Sequence, residues 1–564
     1  MRKSVIVTLG TVFVGLTACG DVLGVKNTNN PSVESSFSTS KGVELLIAGM
    51  GPQLNNTQRA TESVNTQSKI LAGESFASVA NFGMAARAQI PRSLISNELG
   101  NDNQTGNLSN FNNFQRYARN ASQAINRLNE LKAGGDSLAT AADRRAKAFA
   151  YSVIGQALGN LSLMYDSAAI ITPASAPAST VPGAIPEPLA SAAAVNAAAI
   201  RMLDSAVTYA TGMSALPTTW ISTAASTDAA TFTRLVRSYR ARLRAGVART
   251  AAERAAVDWT AVIADATNGI ITDFLIQIGG STGWSATFDV SQSYVAGGWH
   301  QIPLLYIGFA DTTNAMNPWL VEDINLRRAF LLRTPDRRWP AGDTRAAQTA
   351  KATSGNALPT VPCDSANQVA GGIAPANITR DCAMYIRNRP SGSDVPIIGF
   401  GESFYDHRRH GATNVAGNLG PYVEMSRTEI DMLAAEGYLR LAAPNYAAAE
   451  ALINRTRLKN GLVSVTGVGA GTVPGGTACV PRVPQTAPFQ TVTCGTLFEA
   501  MKYEKRMETM MTGYAISFTD SRGWGDLVGG TVVEWPVPYQ EMQTRQQAYY
   551  NGTRRAPTPS TYGY

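Results

Sequence analysis

The sequence predicts a mainly α-helical protein: a scaffold of helical hairpins with one large loop-rich excursion packed on it. Three observations carry this. Hairpins with Ala and Gly at close-contact positions recur at 111–165, 231–268 and 427–460. From 270 to 425 the helical period is lost and Gly, Pro, Asn and Thr become frequent. Apolar residues make up 44% of the chain, which is ordinary for a globular protein. Residues 19–564 are long enough for one large domain or two to three ordinary ones.

The chain opens with Arg2 and Lys3, followed by an almost wholly apolar run from Val5 to Leu16. A basic start and a short apolar stretch make a secretory signal. The run is too short for a membrane span, which needs about 20 residues. Leu16-Thr17-Ala18-Cys19 resembles the lipobox of bacterial lipoproteins. That resemblance implies cleavage before Cys19 and lipid on its thiol and new N-terminus. The alternative is an ordinary signal with Cys19 in a disulfide. Residues 1–18 are thus expected to be the signal peptide and 19–40 a polar, lipidated tether rich in Asn, Ser and Thr. Gly20 stands where an Asp often retains lipoproteins at an inner membrane.

A helical pattern begins near Ser40, in KGVELLIAGMGPQL, and the mixed stretch 70–110 reads as loop. Phe114, Tyr117, Ala118, Ala121, Ile125 and Leu128 follow a 3.6-residue period, and Gly134-Gly135 ends the helix. Ala141–Tyr165 is its Ala-rich partner. The Ala/Pro-rich segment 168–190 is a surface loop. Further helices are expected at 190–210, 230–249 and 250–268. The last has Thr250 as N-cap, Glu253 completing a capping box and Gly269 as stop. After the excursion, Ser426 caps a helix with Glu429 at the capping-box position. A second helix follows Pro444 and stops at Gly461. Residues 497–511 are helical again. The recurring hairpins resemble tetratricopeptide repeats, although the Pro and Trp consensus positions are poorly kept. The expected organisation is an N-terminal helical part (41–270), a loop-rich part (271–425) and a C-terminal helical part (426–564), together one integrated domain, 41–564.

Besides Cys19 there are four cysteines, in two local pairs: Cys363 with Cys382 and Cys479 with Cys494. Each lies in a Gly/Pro/Thr-rich stretch, where a disulfide closing a loop of this size contributes about 3 kcal/mol. Two loop-stapling disulfides are the preferred reading, suited to an oxidising compartment. A zinc site is the alternative, but no Cys-x-x-Cys spacing occurs and the only histidines are His300, His407 and His410. No EF-hand-like calcium loop is found, and no cofactor is expected. The formal charge of +7 falls to +5 without Arg2 and Lys3, and the arginines are spread along helices rather than gathered in a tract. Nucleic acid is not an expected partner.

Four stretches together resemble the SusD/RagB outer-membrane lipoproteins. Cys19 leads into GDVLGVKNTNNPS. RAKAFAYSVIGQALGNLSLMYD (145–166) is similar to the family's Ala-rich helix, with its Gly-x-x-Pro turn altered. RTEIDMLAAEGYLRLAAPNYAAAEALINRTRLKNGL (427–462) is the most specific, with Ile453, Asn454, Arg457, Gly461 and Leu462 in the family's order. In 503–545, Glu504, Arg506, Glu508, Gly513, Asp520, Arg522, Pro536, Pro538 and Glu541 follow the terminal signature, with a slightly long step from Gly513 to Asp520. The resemblance implies four tetratricopeptide-like hairpins and a cell-surface position on the outer membrane. It implies a SusC/RagA-like TonB-dependent β-barrel transporter as partner, an oligosaccharide or peptide as ligand, and no enzymatic activity.

Capture of a sugar calls for flat apolar faces and planar hydrogen-bonding groups. Four of the eight tryptophans, Trp284, Trp299, Trp319 and Trp339, lie in the excursion with Tyr294 and Tyr306. Trp284, Tyr294, Trp299, and Phe82 with Arg87 are the expected ligand contacts, while Trp524 and Trp535 are expected to be structural. A secreted hydrolase is the first rival. Carboxylates such as Glu402, Asp406, Glu424 and Glu541 are available, but no Gly-x-Ser-x-Gly, His-Glu-x-x-His or Walker motif occurs. His407 and His410 in DHRRH, paired at i, i+3 on a helix, raise a metal site together with Asp406, against a solvated basic loop as the simpler reading. The second rival is a tetratricopeptide-type envelope adaptor.

Overall fold

The computed structural model describes residues 37–77, 84–101, 104–175, 187–280, 283–285, 288–291, 300–353, 385–389, 402–484 and 487–564. Cys19, Phe82, Tyr294, Trp299, Cys363 and Cys382 lie outside these. Three helices open the described chain: α1 (Ser40–Ala48), α2 (Met50–Arg59) and α3 (Val64–Leu71). Eight more form a continuous stack: α4 (Gln104–Ala133), α5 (Thr140–Met164), α6 (Ala192–Ala210), α7 (Ala229–Gly246), α8 (Trp259–Thr267), α9 (Arg427–Arg440), α10 (Tyr446–Lys459) and α11 (Leu497–Thr509). Each packs on the helix before and after it, giving four antiparallel-type pairs. Among the described residues no helix is long and apolar enough to cross a membrane.

Sequence explains why the helices approach so closely. A Cβ at Gly155 of α5 would lie 2.5 Å from Leu203 of α6, and one at Gly159 would lie 2.5 Å from Leu243 of α7. The missing side chains let both leucines lie against the α5 backbone, fully buried or nearly so. The termini are capped as the sequence predicts at Thr250 and Ser426, whose side chains accept from Glu253 and Glu429 backbone N–H groups, and Asn445 likewise accepts from Ala448 N–H.

Two sequence expectations change. The 250–268 helix is in fact two, Ala251–Ala255 and α8, because Asp258 caps a fresh start by accepting from Ala261 N–H. The 70–110 stretch is not all loop: Met84–Ala88 is helical and α4 begins at Gln104, well before Phe111. The polar, Asn-rich start of α4 hides its period, and Met84–Ala88 is too short to show one.

The excursion is inserted between α8 and α9, inside the third pair. Its neck is closed by an antiparallel ladder of β1 (Phe274–Ile278) and β2 (Gly420–Met425), from Phe274 opposite Met425 to Ile278 opposite Gly420. The body of the excursion contributes Ile302, Tyr306, Phe309, Trp319 and Trp339 to a second apolar core, shared with Tyr503, Met507 and Met511 from the other side. The first core runs through α1–α9 and takes in Tyr514, Phe518 and Trp535. The C-terminal segment therefore joins both. Trp524 and Trp535 are buried, as expected. Cys479 and Cys494 are bonded, closing a loop that carries the short hairpin Arg482–Pro484 and Val492–Cys494.

Buried charge ties the stack to α12 (Ile516–Trp524). Arg254 grips the Glu436 carboxylate at 3.0 and 2.6 Å and reaches Asp520 at 3.0 Å, all out of water. Burial alone would push the Glu436 carboxyl up, but Arg254, Arg440 and Lys505 outweigh it and hold it at about 2. A carboxylate with a depressed folded pKa stabilises the fold above its ordinary value of 4.5, and that contribution is lost as pH falls toward 2. Urea midpoints measured from pH 6 to pH 3 should therefore drop, and drop less steeply in Glu436→Gln.

Candidate functional site

The candidate site is where two distant segments, 76–92 and 284–301, converge. A short ladder pairs Phe76 with Gln301 and Ala77 with His300. A separate apolar cluster gathers Ile70 of α3, Met84, Ala88 and Phe288, with Phe76 packed against it. Two independent contacts thus hold the described ends of the segments that carry Phe82 and Arg87, and Trp284, Tyr294 and Trp299, side by side. Residues 283–285 are fixed from α2: Asn56 donates to Gly283 O at 2.9 Å and accepts from Ser285 N–H at 2.9 Å.

Trp284 is buried against a narrow cavity of about 50 Å³, with Phe149, Phe232 and Phe274 on its apolar walls and Arg59, Tyr239 and Glu424 at its polar end. That volume holds a water molecule or two, not a sugar ring. Arg87 is buried as well. Its Nε donates to Gln67 at 3.0 Å, and burial lowers the guanidinium to about 10. Of the five expected ligand contacts, the two that are described therefore sit in the wall of the convergence, beneath its surface.

Below them lies a polar base that sequence reasoning missed. Lys69 pairs with Asp289 at 3.1 Å, Tyr422 donates to Asp289 at 2.8 Å, Tyr239 donates to Glu424 at 2.9 Å, and Arg242 grips Glu429 at 2.7 and 2.8 Å. Arg59 pairs with Glu424 and lies over the Tyr422 ring. Burial pushes the Glu74 carboxyl up. These groups are braced by one another, so the base positions the segments above it and offers no exposed acid–base pair.

The DHRRH expectation is overturned in both forms. His407 and His410 are fully buried, on a strand end and a turn rather than along a helix, and the stretch is not solvated. His410 stacks on Tyr422 and contacts Met511 O through Nε2 at 2.8 Å; burial lowers it to about 4, so it is neutral near pH 7. Asp406 is gripped by Arg387 at 2.6 and 2.9 Å. Among the described residues no group of three or more His, Cys, Asp or Glu is arranged to hold a metal ion.

This architecture is similar to that of solved SusD superfamily structures. A SusD superfamily protein from Parabacteroides distasonis superposes with a TM-score of 0.54 at 9% identity, covering 90% of this chain and 98% of that one. Another, from Bacteroides vulgatus, gives a TM-score of 0.50 at 12% identity, covering 90% and 91%. No family model and no curated protein sequence matches the chain. The chain has the SusD fold, mainly α, with identity too low for side-chain roles to be carried across.

Proposed function

We propose that this chain is a SusD/RagB-type nutrient-binding lipoprotein of the outer-membrane surface. It captures an oligosaccharide or peptide and hands it to a TonB-dependent β-barrel transporter of the SusC/RagA type. The observation that carries this reading is the SusD fold over 90% of the chain. The lipobox-like Leu16–Cys19 and the convergence of the two aromatic-bearing segments add to it. The role is binding, not catalysis.

A lid needs an anchor and freedom to swing. Several acyl chains on Cys19 hold the protein at the membrane stably, which one chain does not. A polar tether ahead of Phe37, where the chain joins the body, keeps that body at high effective concentration near a barrel while leaving its orientation free. The braced base described above keeps the capture segments in register during that motion.

The test is a mild-detergent pull-down of the lipidated protein from its own envelope, with mass spectrometry of its companions. A TonB-dependent barrel in near-equal amount is the expected result. Other envelope proteins without a barrel would refute transport and favour an adaptor.

A further inference from the structure

The two capture segments carry an excess of buried positive charge. From 76 to 97 the sequence holds Arg87 and Arg92 and no acidic residue, and from 284 to 301 Asp289 is the one acid. Asp289 is already taken, by Lys69 at 3.1 Å and by the Tyr422 hydroxyl at 2.8 Å. The next acid along the chain, Glu98, is exposed. Arg87 and Arg92 are 3% and 6% exposed. Burial lowers the two guanidiniums to about 10 and about 9, with no carboxylate opposing it, and both still carry their charge near pH 7. By contrast Arg254 and Arg338, buried as deeply, hold two and three carboxylates.

Among the described residues the partners of both arginines are neutral. Arg92 donates to the carbonyls of Arg87, Gln89 and Leu71, which makes it a cap for the ends of α3 and of the Met84–Ala88 helix. Arg87 has no such set. Its Nε donates to Gln67 Oε1 at 3.0 Å and its Nη1 to Leu94 O at 3.4 Å. Its Nη2 is buried with no hydrogen-bond partner, and so is Arg92 Nε. A charge buried without a counter-charge is costly to the fold. Two such charges lie side by side in the wall of the convergence, and an anion placed there would relieve that cost.

We propose that the nutrient captured at this convergence is an acidic oligosaccharide, one that bears carboxylates as uronic acids do, drawn by the unmatched charge of Arg87 and Arg92. The charges act from within the wall, where their field is screened less than that of a surface arginine. The same two segments carry Phe82, Tyr294 and Trp299 in the sequence, and flat rings suit a sugar better than a peptide. The inference rests on the reading of these segments as the nutrient-capture site and names its ligand class.

The test uses the full chain on arrays of uronic-acid and neutral oligosaccharides, with acidic and neutral peptides alongside. Uronic-acid oligosaccharides are the expected binders. Methyl esterification of the best of them, which removes the charge and keeps the sugar backbone, should weaken binding at least about tenfold. Arg87→Met should abolish that discrimination by weakening the acid and sparing the ester, while Arg87→Lys, which keeps the charge, should retain it. A merely structural Arg87 would instead weaken acid and ester alike, and that result would overturn the proposal. Because Arg87 is buried, Arg87→Met risks the fold; the acid-to-ester ratio in the unaltered protein then decides alone. Equal affinity for acid and ester, or binding of neutral oligosaccharides only, would overturn the proposal and leave nutrient capture standing. Binding of acidic peptides only would overturn the saccharide assignment. Binding of no probe at all would overturn nutrient capture together with it.

Discussion

Replacing Arg338 by methionine is expected to cost about 3–5 kcal/mol of stability at pH 7, the range for breaking a buried ion pair from one side. Arg338 is fully buried and holds three carboxylates: Asp336 at 2.7 Å, Glu504 at 2.9 Å and Glu508 at 3.2 Å. Asp336 belongs to the excursion, and the two glutamates belong to α11, so this one guanidinium ties the excursion to the helical stack. Arg457 and Lys459 remain beside Glu504 and Glu508, at 3.2 and 3.7 Å, but the three buried carboxylates lose the one cation they share. Burial already lifts the Glu504 carboxyl against the pull of Arg338 and Arg457. Burial also opposes Lys459, Arg338 and Arg409 at Glu508, yet there the cations hold the carboxyl at about 2. Without Arg338 both carboxyls rise. A carboxyl whose folded pKa is raised destabilises the fold above that pKa and ceases to do so once protonated. The variant's deficit against the wild type should therefore shrink as pH falls from 7 toward 5. Denaturant unfolding at both values decides the matter. An equal deficit at the two pH values would mean that lost packing, not unmatched charge, is the cause.

The helical stack was legible because its signals are local. Apolar spacing, Ala/Gly faces and caps such as Ser426 with Glu429 act within a few residues, and tertiary packing did not override them. Asp258 has no signature of its own, because a cap inside a good helical pattern reads as one more polar residue. The place of the excursion was visible, but its closure was not: pairing Phe274 with Met425 is a contact between residues far apart in sequence, set by the geometry of α8 and α9. The candidate site divides the same way. Aromatic enrichment drew attention to Trp284, while the pairing of Ala77 with His300, which brings the two segments together, has no local signature. In DHRRH the high charge density suggested solvent, yet Arg387 and the Tyr422 ring arrive from elsewhere to bury it. The terminal signature was recognised by order alone. Glu504, Glu508, Asp520 and Arg522 prove to be buried, and their partners Arg338, Arg254 and the ends of α5 and α7 are supplied by distant stretches.

Arg522→Lys should be nearly as damaging as Arg522→Ala, even though it keeps the positive charge. Arg522 is buried and touches no carboxylate. It donates instead to four backbone carbonyls: Leu163 at 2.9 Å, Gly246 at 2.7 Å, Ala248 at 3.0 Å and Val533 at 2.6 Å. Leu163 and Gly246 belong to the last turns of α5 and α7, whose carbonyls have no partner within their own helices. The C-terminal ends of both helices are also sites of partial negative charge, which favours a cation there. Burial pushes the guanidinium downward in pKa, with neighbouring Arg249 adding to the effect. What holds the charge in place is thus the geometry of the donors. Arg249 supplies Leu163 a second bond at 3.0 Å, so alanine at 522 strands the other three carbonyls. Each stranded group costs about 1–3 kcal/mol, for a total of at least about 3 kcal/mol. A lysine ammonium offers three donors from a single point and cannot span carbonyls that a planar fork reaches along separate directions. At least one carbonyl then stays unpaired in a dry interior, and a loss of about 2 kcal/mol or more is expected. Guanidinium-chloride midpoints for the three proteins provide the measurement. If lysine restored the wild-type midpoint, charge at the helix ends would suffice and the fork geometry would have no role; a lysine midpoint near that of alanine would assign Arg522 as the joint cap of α5 and α7.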